Sequence, residues 1–124
     1  MKRAGLFAWI GVLMPPFAWA GQHIGGYGTG LAECPDNTPG PAWHIPVDGV
    51  TIAIGGTAAL LVLAGAVLSL FAFLAVRNAD EDDAPPAGRI RFLSVIGLSI
   101  TPLFLGMVLM SSVGAVVANG CRQG

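Results

Sequence analysis

The chain has 124 residues, of which 54% are hydrophobic and 10% charged, and its net charge is −1. That length suits one small domain, and that balance belongs to the membrane class rather than the globular or disordered class. With no basic excess the chain offers no surface for nucleic acid, and no internal repeat of 20–50 residues points to a solenoid.

The N-terminal segment is residues 1–20. Lys2 and Arg3 precede an apolar run from Ala4 to Met14, and Pro15-Pro16 follow. Proline lacks an N–H and crowds the preceding turn, so a helix is expected to break there. Ala18-Trp19-Ala20 is a small-x-small site. This is the layout of a secretory signal peptide removed after Ala20. The rival reading is a retained first membrane helix, and both put residue 21 outside the cytoplasm.

Residues 21–49 contain seven glycines and four prolines (Pro35, Pro39, Pro41 and Pro46). Proline blocks helix at these intervals and glycine raises the entropy lost on ordering, so this reads as an irregular exported linker. Within it, Trp43-His44-Ile45-Pro46 is an aromatic and apolar cluster suited to docking on a partner. Gly26-Tyr27-Gly28-Thr29-Gly30 lacks the strand and helix that a phosphate-cradling loop needs. His23, His44 and Cys34 match no metal-ligand spacing, so no cofactor or metal is expected.

Residues 50–76 form an uncharged run of 27 residues. As a helix it would be roughly 40 Å long, more than the ~30 Å hydrocarbon core of a bilayer. Thr51, Ala58, Gly65 and Ala72 recur every seven residues, with Gly55, Ala59 and Ser69 on or beside that face. Membrane helices pack at such small residues, and a seven-residue recurrence favours a left-handed crossing.

Residues 77–91 form a short loop flanked by Arg77, Arg89 and Arg91 and carrying Asp80, Glu81, Asp82 and Asp83. The positive-inside rule counts the arginines, so the loop is assigned to the cytoplasm. Residues 92–118 are a second uncharged run of 27 residues. Pro102 should leave the Leu98 carbonyl unpaired, with Ser99 or Thr101 available to compensate. Gly106, Met110 and Gly114 recur at four-residue spacing and suit close helix contact. Residues 119–124 are an exported tail.

The fold expected is an all-α membrane protein: a two-helix transmembrane hairpin after a signal peptide, or three helices if the N-terminal segment is retained. Neither run contains an ionisable residue, the usual mark of proton relays and ion paths. No catalytic arrangement is visible, so an enzyme is not expected. The reading is a small accessory or structural subunit of a larger complex in the bacterial inner membrane, with both mature termini periplasmic. Its partners would be larger integral subunits and the lipid bilayer. A respiratory or photosynthetic complex is the reference case on frequency alone, with no residue behind it. The alternatives are a self-assembling holin-like protein and a small periplasm-facing metal or redox carrier.

Cys34 precedes the hairpin and Cys121 ends it, so the topology puts both thiols on one oxidising face. A disulfide between them is the expected outcome. Non-reducing peptide mapping should recover the linked peptides; a thiol alkylated without reductant would contradict the bond.

Overall fold

Three long helices make up the computed structural model, which describes residues 2–33, 47–78 and 85–117. They are α1 (Lys2–Glu33), α2 (Val47–Val76) and α3 (Ala87–Val117). Each is long and apolar enough to cross a membrane, with candidate spans of 28, 28 and 31 residues. The protein is therefore an all-helical chain with three such helices.

The N-terminal segment differs most from expectation. α1 passes through Pro15 and Pro16 without a break and continues to Glu33. The irregular linker expected from Gly21 is thus helical over its first part. α2 begins at Val47, earlier than residue 50, and α3 begins at Ala87, so Arg89 and Arg91 lie in its first turns. The expected Cys34–Cys121 bond, the Trp43–Pro46 cluster and the acidic run at 80–83 lie outside the described residues.

The buried positions follow one rule. On α1 they are Ala4, Ala8, Gly11, Pro15, Ala18 and Gln22; on α2 they are Gly55, Ala58, Val62, Gly65, Ser69, Ala72 and Val76. On α3, Ile90, Ser94, Gly97, Thr101 and Val108 keep the same phase, and Gly88 in the first turn lies outside it. Gly88 apart, the steps are three or four residues, or seven from Thr101 to Val108, which is the 3.5-residue period of a left-handed supercoil. The heptad seam noted on α2 is one phase of this pattern. The two phases of all three helices meet along one axis.

Two apolar clusters occupy that axis. Ala4, Ala8, Ala72, Val76 and Ile90 form one, flanked by Phe7 and Leu93. Ala18, Ala58, Val62 and Val108 form the other, flanked by Trp19 and Phe104 among others. Between them is a waist where the backbones come closest. A Cβ on Gly11 would overlap Ser69 Oγ and lie 2.9 Å from the Gly65 carbonyl oxygen. A Cβ on Gly97 would overlap the same hydroxyl from the other side. At Gly11 the clash includes backbone atoms of α2, so space alone calls for glycine there; at Gly97 the clash is with the Ser69 side chain.

The waist also explains the tolerance of Pro15. Its missing N–H should leave the Gly11 carbonyl free. That oxygen lies 3.3 Å from where a Gly65 Cβ would be, so it is packed against α2 at Gly65. Pro102 is different because it is exposed. Neither nearby hydroxyl turns to the Leu98 carbonyl: Ser99 Oγ donates to Val95 O at 2.8 Å and Thr101 Oγ1 to Gly97 O at 2.8 Å. Each takes the carbonyl four residues back, which is within easier reach of its own rotamers.

Gly11→Ala should destabilise the bundle by about 1–3 kcal/mol through overpacking. Ser69→Gly should recover part of that loss, because the clashing oxygen is gone. Reversible unfolding in mixed detergent, followed by far-UV circular dichroism, measures both. Additive effects would show that the two residues do not meet.

Candidate functional site

Near the outer ends of α1 and α3 the axis turns polar. Gln22 is 8% exposed, although glutamine is rarely buried to this degree. Its Nε2 donates to Val108 O at 3.1 Å and to Ser112 Oγ at 2.9 Å. Ser112 Oγ itself donates to Val108 O at 2.8 Å. A carbonyl can only accept, so the Gln22 atom facing Val108 must be the amide nitrogen. The amide orientation follows from the partners.

Local sequence makes this contact possible. Gly55 has no side chain, and a Cβ there would overlap Ser112 Oγ and lie 3.7 Å from Gln22 Nε2. Gly55 therefore opens the space in which α1 and α3 join hands. Gln22 Oε1 is buried and has no partner. In a bilayer an unsatisfied polar atom is costly, though neutral hydrogen bonds between membrane helices average only about 0.6 kcal/mol.

A cavity of about 310 Å³ adjoins Gln22, bounded by His23, Tyr27, Thr51, Ile54, Ser111 and Ser112 among others. His23 lies at its rim: Nδ1 is 3.1 Å from Trp19 O and the two rings are 4.5 Å apart. The carbonyl accepts, so Nδ1 carries the proton and Nε2 remains open. Trp19 in turn meets Phe104 edge-on at 6.3 Å. A longer apolar groove of about 740 Å³ runs between α1 and α2 and ends at Gln22. The arrangement provides neutral hydrogen bonding and one imidazole. Its lining includes no carboxylate, and no cluster of three metal-ligating side chains occurs among the described residues.

The residues singled out by sequence are placed as follows. Ala58, Gly65 and Ala72 are buried on the axis and Thr51 is half-buried beside the polar layer. Gly106 and Gly114 are exposed, and a Cβ on either would meet nothing within 4 Å. They are outward-facing rather than part of the α2–α3 contact. Cys34, Cys121, Trp43, His44, Ile45 and Pro46 lie outside the described residues. Sequence reasoning missed Gly11, Gln22, Gly97 and Ser112. The signal for them was the alternating three-and-four spacing of small and polar residues on α1 and α3.

Comparison with family models, with curated proteins and with solved structures returns no match.

Replacing Gln22 by methionine, of similar length but without polar atoms, removes two hydrogen bonds and one orphan acceptor together. The two effects oppose each other, so stability should change by no more than about 1 kcal/mol. A detergent unfolding titration measures this. A loss above about 3 kcal/mol would mean that the Gln22–Ser112–Val108 junction holds the bundle together.

Proposed function

We propose that this chain is a three-helix accessory subunit of a larger complex in the bacterial inner membrane. The observation that carries the reading is the contrast between axis and surface. The axis is closed by Gly11, Ser69 and Gly97, while a Cβ on Gly56, Gly106 or Gly114 on the outside would meet nothing within 4 Å among the described residues. A closed axis leaves the monomer no conduit. Exposed glycines leave room for another helix to approach closely, which is how membrane subunits associate without a hydrophobic drive.

In this reading α1 is retained as a membrane helix. Five residues within 1–20, Ala4, Ala8, Gly11, Pro15 and Ala18, supply one side of the axis. Removal of the segment would delete those contacts. Charge supports an orientation with the N-terminus in the cytoplasm and the C-terminus in the periplasm. Lys2, Arg3, Arg77, Arg89 and Arg91, five of the six basic residues, belong to that inner end. The segment from 34 to 46, with Trp43 and Pro46, then lies on the periplasmic side, where it can meet partner subunits.

Intact-mass analysis of the membrane form should give a chain that includes residues 1–20, and a product beginning at Gly21 would refute retention. A tagged pull-down in mild detergent should recover larger membrane proteins. Gly114→Leu or Trp43→Ala should lower that recovery several-fold without altering the bundle's own unfolding. Recovery of the chain alone, as an oligomer that makes liposomes leak, would favour the holin-like alternative.

A further inference from the structure

The cation-rich end of the bundle has a cavity of its own. It occupies about 240 Å³ between the first turns of α1 and α3, with Lys2, Gly5, Trp9, Arg89, Ile90 and Leu93 in its lining. Its chemistry is graded. Gly5, Ile90 and Leu93 form an apolar floor, and the charges of Lys2 and Arg89 stand at the rim. The Arg89 guanidinium lies over the Trp9 ring, 5.5 Å from its centroid, an arrangement that fixes the cation while leaving its N–H donors available. No described residue forms an ion pair with Lys2 or Arg89, and both side chains are exposed.

Depth matters as much as charge. From Lys2 to His23 is about 32 Å along a helix, close to the ~30 Å hydrocarbon core. With that core placed between them, Lys2 and Arg89 sit at headgroup level, and Trp9 lies about 10 Å further along α1 from Lys2. Basic pockets between helices at headgroup depth match anionic lipid. A site with a cationic rim and an apolar floor fits an amphiphile better than a free anion.

We propose that this cavity seats the phosphate of an anionic phospholipid, with Lys2 and Arg89 on the phosphate and Gly5, Ile90 and Leu93 against the first carbons of the chains. The site rests on the retention of α1 proposed above and otherwise requires only that the helices span a bilayer. A chain beginning at Gly21 would remove it, whereas loss of the accessory-subunit role would not.

The test uses the full chain with Trp19→Phe and Trp43→Phe, which leaves Trp9 as the reporter. The protein is reconstituted in phosphatidylcholine vesicles containing equal fractions of brominated phosphatidylglycerol or brominated phosphatidylcholine. Trp9 should be quenched more by the anionic lipid, with a local enrichment on the order of fivefold per cation, equivalent to about 1 kcal/mol each. Lys2→Gln with Arg89→Gln should abolish the preference, and Arg89→Lys should keep most of it. Arg3→Gln with Arg77→Gln, which removes as much charge from the same end but none from the cavity, should also keep it. Equal quenching by the two lipids would overturn the proposal and would follow if the acidic run at 80–83 neutralised the rim. Equal loss in both paired variants would reduce the effect to diffuse surface charge. Competition by inorganic phosphate would assign the cavity to a free anion instead.

Discussion

Everything in this bundle depends on one close approach, in which the hydroxyl of Ser69 stands between the backbones of Gly11 and Gly97. Lipid tails are as apolar as leucine, so helices in a bilayer gain nothing by hiding leucine from them. What remains is dispersion, which is individually small and needs many atoms in contact. Glycine, alanine and serine on the axis let backbone atoms supply that contact. The consequence is an inverted residue distribution. Large side chains such as Leu60, Phe71, Leu103 and Met110 point outward, while the buried positions are mostly small. The arrangement has a cost, since Ser69 Oγ is fully buried and has no hydrogen-bond partner. The other axial hydroxyls avoid this: Ser94 Oγ donates to Ile90 O at 2.7 Å and Thr101 Oγ1 to Gly97 O at 2.8 Å.

The two ends of the axis differ chemically, and bilayer thickness sets their separation. Arg91 to Ser112 on α3 and Gly55 to Arg77 on α2 each span about 32 Å along the helix. These intervals agree with Lys2 to His23 on α1, so cations mark one level on all three helices, while the other level carries neutral hydrogen-bonding groups on α1 and α3 and the space left by Gly55 on α2. The helices are longer than this slab requires, which leaves turns beyond the outer polar layer. The two ends of the bundle thus differ: one offers positive charge, and the other offers amide, hydroxyl and imidazole groups.

The sequence revealed the spans of α2 and α3 because long uncharged runs have few other uses. It revealed one seam on α2 because Thr51, Ala58, Gly65 and Ala72 share a heptad phase. At α1 it leaves two readings. A signal peptide and a retained first helix both need a positive start, an apolar run and small residues, so Lys2 to Ala20 satisfies either description. The continuous helix through Pro15 and Pro16 to Glu33 was not legible, because the packing against it, Gly65 beside Pro15 and Ser112 beside Gln22, is tertiary. Gly106, Met110 and Gly114 were legible as a small-residue face, but not what that face is turned to. Hydropathy cannot distinguish a face turned to lipid from one turned to protein, and a small residue fits either. Only the phase relative to Gly97, Thr101 and Val108 tells them apart, because 108 continues that series and 106 does not.

The closed waist also limits where any activity can reside. An ion or proton crossing along the axis would have to pass Gly11, Ser69 and Gly97, where a methyl group already collides. It would also pass two apolar clusters with no titratable side chain among them. Opening the waist would separate the contacts that hold the helices there. The lateral faces and the two ends are different: they carry the exposed glycines, the groove leading to Gln22 and the cation-rimmed cavity at Arg89.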